Sequence, residues 1–188
     1  MMKNVFILSW PSWVGKTTIY EEYIKNDGRA KIQRIITTTT REKRDYEEHW
    51  KDYYFKDIKE FQKLIEDWKF IEYAKVHNNF YGSTYEALEN IILKNKTPFY
   101  IVDPQWVRYL KNVLSWKYNV KTIFILPPNK EELEKRLIKR GESENSESFQ
   151  TRINESLKWL SEKDNYDYNI VNNDLKRAVE EFKKIITG

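Results

Sequence analysis

Residues 9–18 read SWPSWVGKTT, preceded by NVFIL (4–8) and followed by IYEEYI (19–24). A buried strand, a loop and a helix opening at "GKTT" form the half of a phosphate-binding loop that carries chemistry. Lys16 can reach the β- and γ-phosphates of a nucleotide as a point charge. Thr17 can coordinate a magnesium ion, and the helix N-terminus adds partial positive charge. The formal pattern G-x-x-x-x-G-K-S/T opens on glycine, but Trp10 stands there. Trp13 falls inside the same loop, where backbone must approach the ligand. Taken alone, "GKT" also fits an ordinary helix start, so the rest of the chain has to decide.

Outward from this loop, strand and helix patterns alternate. "VFIL" reads as a strand and "KTTIYEEYIKN" as the following helix; "IQRIITTTT" and "DYYF" are extended. "DIKEFQKLIED" has helical spacing, with Ile58, Phe61, Leu64 and Ile65 on one face. "KFIEYAKVHNNFYGS" has strand character broken by a turn, and "TYEALENIILKN" is helical. "PFYIVD", "KTIFIL" and "YDYNIVN" read as strands. "QWVRYLKNVLS", "NKEELEKRLIKR", "SFQTRINESLKWLSEK" and "DLKRAVEEFKKII" read as helices. Such alternation predicts an α/β domain, a parallel sheet of about five strands flanked by helices. A β-rich stretch from about residue 33 to 83 interrupts it as an insertion, and "ESENSES" (142–148) is a polar tip between two helices.

The 188 residues suffice for one domain. Cysteine is absent, which fits a reducing cytoplasmic setting, and no apolar run nears the ~20 residues of a membrane helix. With 33 basic and 29 acidic residues the net charge is +4, too mild and too scattered for a nucleic-acid surface. The arginines recur in small groups, Arg41 with Arg44, then Arg136 with Arg140 and Arg152. That layout suits convergence on a small anion.

Several ordered stretches resemble guanylate kinases over nearly the whole chain. "TTTTREKR" is similar to their S-x-x-T-T-R-x-x-R segment, "KDYYF" to D-Y-x-F, and "FIEYAKVHNNFYGST" to F-I-E-W-A-x-V-x-G-N-x-Y-G-T-S. "TIFILPPNKEELEKRLIKRG" and "YDYNIVNNDLKRAVEE" follow the family closely. The resemblance implies a P-loop nucleoside-monophosphate-kinase fold that transfers the terminal phosphate of ATP to GMP. It implies a core (1–33, 84–133 and 153–188), a GMP-binding subdomain (34–83) and a helical lid (134–152). ATP would be held by Ser12, Gly15, Lys16, Thr17, Thr18, Arg136 and Asn172, with Mg2+ on Thr17. GMP would be held by Thr37, Arg41, Arg44, Tyr53, Glu72, Tyr81, Gly82, Ser83 and Asp103. Lys16, Arg41, Arg136, Arg140 and Arg152 would be catalytic. Glu72 would accept from the ring N–H and amino group of guanine, a donor pair that adenine lacks. ATP and GMP are the implied partners, without nucleic acid or membrane, on a monomer or homodimer.

The departures form a pattern. Trp10, Trp13, Trp50, Trp68 and Trp106 stand where the family has glycine, and Ile101 replaces the first acidic residue of its D-I-D-x-Q-G. Turns, helix ends and ligand-hugging loops favour glycine, which tolerates positive φ without penalty. The chain has five glycines, against about thirteen at the ~7% of an average protein. Abundant Lys, Asn, Ile and Tyr point to an A/T-rich gene. The resulting hypothesis is that these tryptophans are UGA codons that the source reads as glycine; UGG codons there would end it. The alternative reading is a catalytically inactive guanylate-kinase-like module that binds protein partners, its loop filled by Trp10 and Trp13.

Overall fold

A computed structural model describes residues 2–10, 16–26, 31–76, 78–139, 143 and 146–188. Strand β1 (Asn4–Ser9) is apolar on both faces and almost completely buried, as a central strand of a parallel sheet must be. It pairs in parallel with β7 (Thr97–Ile101) and β8 (Asn119–Leu126), and β8 pairs with β9 (Tyr168–Val171). With β2 (Ile32–Arg34) the parallel sheet runs β2-β7-β1-β8-β9. The helices are α1 (Lys16–Asn26), α2 (Ile58–Glu66), α3 (Tyr85–Leu93), α4 (Pro104–Leu114), α5 (Lys130–Lys139), α6 (Glu147–Ser161) and α7 (Leu175–Thr187). The expected α/β class and five-stranded parallel sheet are therefore present.

Two compact units divide the chain: residues 1–30 with 99–188, and residues 31–98. In the first, Tyr20 stacks on Phe99 at 5.1 Å, and Phe182 of α7 meets Tyr23 edge-on at 5.3 Å and Phe99 at 5.6 Å. These rings join α1 and α7 to the sheet. Trp10 is 5% exposed and part of this apolar core.

The second unit holds a four-stranded sheet ordered β4-β3-β6-β5, built from β3 (Thr38–Thr39), β4 (Tyr54–Phe55), β5 (Phe70–Val76) and β6 (Asn79–Thr84). β3 pairs in parallel with β4 and antiparallel with β6, and β5 and β6 form an antiparallel hairpin. Helix α2 opens on a capping box made by Asp57 and Glu60, and buries Phe61 against Phe70 and Phe80 at 4.4 and 5.5 Å. Gly82 lies opposite Tyr73 and Thr38; a Cβ there would sit 2.7 Å from the Glu72 carbonyl oxygen and 2.8 Å from the Tyr73 Cβ. The close approach of β5, with the Phe70 ring also at 2.8 Å, leaves no room for a side chain there.

Among the described residues, three other than glycine take positive φ: Trp50 (62°), Trp68 (53°) and Asn95 (56°). Trp50 and Trp68 expose 66% and 88% of their surface, so packing offsets little of that backbone cost. Trp106 differs from the expectation: it lies in the first turn of α4, where helical dihedrals put no premium on glycine. Trp10 also lacks positive φ, and Trp13 falls outside the described residues.

Candidate functional site

The unit 31–98 gathers most of the expected acceptor-side groups. Arg41 follows β3, and its guanidinium lies over the rings of Tyr53 and Phe55, 5.4 and 5.7 Å from their centroids. Its Nη2 donates to Glu47 Oε1 at 2.6 Å, and its Nη1 to the Glu42 carbonyl at 2.7 Å. Hydrogen bonding to Glu47, ahead of the contact with Tyr81, holds the Arg41 pKa above its ordinary value despite partial burial. The rings of Tyr53 and Tyr81 meet at 6.1 Å, and burial raises the Tyr53 pKa, so this phenol stays protonated and able to donate. Arg44 is exposed, its Nη1 donating to the Tyr46 hydroxyl at 2.8 Å. Arg41, Tyr53 and Tyr81 thus form one cluster of donors; Arg44 shares the loop but reaches toward solvent.

Glu72 and Ser83 face each other across the β5–β6 hairpin, just past a bulge between Phe70 and Glu72. The bulge admits an extra residue, Ile71, which is buried at 3% exposure, and re-aims the carboxylate that follows it. The Ser83 amide donates to Glu72 Oε1 at 3.0 Å. The Ser83 hydroxyl is buried beside the same carboxylate without a hydrogen bond of good geometry inside the protein. Burial is the main cause of a raised Glu72 pKa, partly opposed by Ser83. A half-buried carboxylate with a buried hydroxyl beside it is suited to a polar, planar ligand edge. Thr37 is half-buried, and its carbonyl accepts from the Tyr54 amide at 2.9 Å. Gly82 separates Tyr81 from Ser83, placing those two on the same side of β6.

The unit comprising 1–30 and 99–188 carries the other expected residues. Lys16 and Thr17 open α1, with Thr18 exposed in its first turn; the Lys16 and Thr17 side chains, Ser12, Gly15 and Arg140 lie outside the described part. Arg136 on α5 and Asn172 after β9 come together, Arg136 Nη2 donating to the Asn172 carbonyl at 3.0 Å. Its Nε donates to Glu132 Oε1 at 2.9 Å, one turn back on the same helix. Arg152 lies half-buried on α6. Asp103 occupies the N-cap position of α4, yet its exposed carboxylate makes no capping hydrogen bond. A hard cation takes oxygen donors, so that carboxylate and the Thr17 hydroxyl fit the donor set of magnesium. No group of three or more acidic or histidine side chains suited to a metal occurs among the described residues.

Comparison with known proteins decides the family. A family model described as "Guanylate kinase" matches residues 2–188. The chain belongs to the guanylate kinase family. The guanylate kinase of Haemophilus ducreyi is 36% identical over 188 residues, covering 100% of this chain and 89% of that protein. That of Blochmanniella floridana is 38% identical over 180 residues, covering 96% and 84%. The crystal structure of guanylate kinase from Anaplasma phagocytophilum superposes with a TM-score of 0.71 at 28% identity, covering 99% of this chain and 85% of that one. These guanylate kinases support a nucleoside-monophosphate kinase that binds nucleotides, and lend nothing to the inactive-module reading. No helix among the described residues is long and apolar enough to cross a membrane.

Glu47 was not singled out from the sequence. It is 7% exposed in a loop of charged residues and bridges Arg41 and Arg44. Its place between two arginines was visible, but its burial depends on the fold of the loop.

Proposed function

We infer that the chain transfers the terminal phosphate of ATP to GMP, giving ADP and GDP. A GMP phosphate oxygen attacks the γ-phosphorus as the bond to the β–γ bridging oxygen breaks, and the electron pair leaves with ADP. The protein does little covalent work in such a transfer; positioning and charge stabilisation dominate. Arg41 and Arg44 hold the acceptor phosphate, with the Tyr53 and Tyr81 hydroxyls donating to it. Glu72 accepts from the guanine edge, and Thr37 and Ser83 donate hydroxyls to its polar groups. Lys16 binds the β- and γ-phosphates with Ser12, Gly15 and Thr18. Arg136, Arg140 and Arg152 supply charge on the donor side, and Asn172 lies by the adenine. Magnesium would be held by Thr17 and would neutralise charge on the ATP phosphates, while the Asp103 carboxylate would serve GMP or, through water, that ion. Residues 34–83 then serve as the GMP subdomain and 134–152 as a lid that excludes water as a competing acceptor. The cysteine-free composition suits a cytoplasmic enzyme.

The observation that supports the acceptor assignment is Glu72: a carboxylate kept in a buried setting beside a hydroxyl without a good hydrogen bond. The test is to mix purified protein with ATP, magnesium and either GMP or AMP. GDP should form, and AMP should be a poor acceptor. If protein carrying glycine at positions 10 and 13 leaves GMP unconsumed, the assignment is overturned.

A further inference from the structure

Arg41 and Arg44 are separated by two residues in an exposed loop, yet a phosphate clamp needs both in one geometry. Glu47 links them. Its Oε1 accepts from Arg41 Nη2 at 2.6 Å and its Oε2 from the Arg44 backbone amide at 2.9 Å. The Glu47 amide returns a bond to the Arg44 carbonyl at 3.0 Å, and Lys43 Nζ donates to the Glu47 carbonyl at 3.0 Å. Its side chain is 8% exposed, whereas Glu42 and Glu48 on either side are exposed. We propose that Glu47 is a positioning residue for the acceptor phosphate: its two oxygens fix the Arg41 guanidinium against the Arg44 backbone before the phosphate arrives.

This rests on the reading of Arg41 and Arg44 as phosphate ligands and adds to it the group that arranges them. The chemistry explains why a carboxylate serves. Arg41 uses Nη2 on Glu47 and Nη1 on the Glu42 carbonyl, while Tyr53 and Phe55 lie against its ring-like plane. The guanidinium is therefore held at both terminal nitrogens, with its rotation restricted. A fork-shaped donor binds phosphate through paired N–H groups, so a small rotation breaks the match. Hydrogen bonds from Arg41 and Arg44, opposed by partial burial, hold the Glu47 pKa below the ordinary carboxylate range, so the anchor keeps its charge at neutral pH. The bland role, an ion pair that merely folds the loop, predicts a different kinetic signature.

The experiment compares wild type, Glu47→Gln and Glu47→Ala in steady-state kinetics with ATP and GMP varied separately, each protein checked by thermal melting. Positioning predicts a KM for GMP raised about tenfold to a hundredfold in Glu47→Ala. Glu47→Gln should show a smaller rise, because the amide keeps the reach to Arg44 and loses the charge, and the KM for ATP should not change. Loop folding alone predicts a lowered melting temperature and active fraction with the KM for GMP intact; that result overturns the proposal. If Glu47→Ala does not fold, Glu47→Gln decides by the same criterion. If neither wild type nor folded protein carrying glycine at positions 10 and 13 forms GDP, the functional reading is overturned and the proposal with it. Active wild type with unchanged KM for GMP in the variants overturns the proposal alone.

Discussion

Arg41 and Arg136, one from each compact unit, are paired with carboxylates in different settings. In residues 31–98, Arg41 pairs with a carboxylate that is 8% exposed and lies over two aromatic rings. In the other unit, Arg136 pairs with Glu132 on its own helix, at 25% and 37% exposure. A buried partner leaves an uncompensated charge when its mate is removed, whereas a helical surface pair contributes only ~0.5 kcal/mol. Selectivity is therefore expected to depend on buried groups of the unit 31–98. Groups on α5 should affect binding with little consequence for stability.

Glu72 sharpens this contrast most. Two charge-assisted hydrogen bonds to guanine contribute ~1.5–3 kcal/mol each, so Glu72→Gln should lower kcat/KM for GMP about a hundredfold or more. The pH dependence follows from the raised pKa, whose main cause is burial. The folded protein holds this proton more tightly than the unfolded chain does. Glu72's stabilising contribution is full below the unfolded value of about 4.3 and is lost as pH rises through the higher folded value. At neutral pH Glu72→Gln should therefore raise the melting temperature while abolishing selectivity. On acidification of wild type, the KM for GMP should rise at a pH above that of an ordinary carboxylate. A variant that melts lower and keeps GMP turnover breaks the contrast.

Trp10 provides the next largest effect and separates binding from stability. Its side chain is part of the apolar core at 5% exposure, and truncating a buried tryptophan costs ~3–5 kcal/mol. Trp10→Gly should therefore melt well below wild type. Trp10→Gly with Trp13→Gly should nonetheless gain ATP affinity by removing two indole side chains from the SWPSWVGKTT segment, read by calorimetric titration. Equal affinity in the two proteins would show that the bulk does not matter.

Arg136→Ala tests the exposed side of the comparison. Losing one charge-assisted contact of ~1.5–3 kcal/mol should raise the KM for ATP about tenfold. The KM for GMP should hold, and stability should shift by no more than ~0.5 kcal/mol. A large drop in melting temperature would show that its bond to the Asn172 carbonyl supports the fold.

The sheet and helices were legible because their periodicity is local. "KTTIYEEYIKN" is α1 to the residue, and "DIKEFQKLIED" contains α2 with its Asp57 cap. "IQRIITTTT" was harder. It reads as one extended run, but residues 32–34 belong to the five-stranded sheet and residues 38–39 to the four-stranded one. β-Branched residues favour extension without saying which neighbour supplies the hydrogen bonds. Family motifs marked Arg41, Tyr53, Glu72 and Tyr81. Glu47 escaped because a carboxylate among Arg44, Asp45 and Glu48 looks like solvated surface until the loop folds over it.

The smallest effects concern the helix ends, where α2 and α3 close identically. After α2, the Trp68 amide donates to the Ile65 carbonyl and the Lys69 amide to the Leu64 carbonyl at 2.9 Å. After α3, Asn95 donates to Ile92 and Lys96 to Ile91 at 3.1 Å. Each closure needs a left-handed residue, at φ 53° and 56°. Asparagine tolerates that region; tryptophan has no compensating side-chain bond to its own backbone, and this one is 88% exposed. Trp68→Gly should therefore stabilise by ~1 kcal/mol, a rise in melting temperature of about 2–4 °C for a chain of this size. Trp50→Gly, at φ 62°, should do likewise, and Asn95→Gly should be near neutral. Trp106→Gly should instead destabilise by ~0.5 kcal/mol, since it sits in a helical turn. Opposite signs at 68 and 106 would mean that local backbone, not a shared history of the tryptophans, sets their energetic cost. UGA codons at both positions would still trace them to glycine in the gene, so the melting curves and the codons answer separate questions.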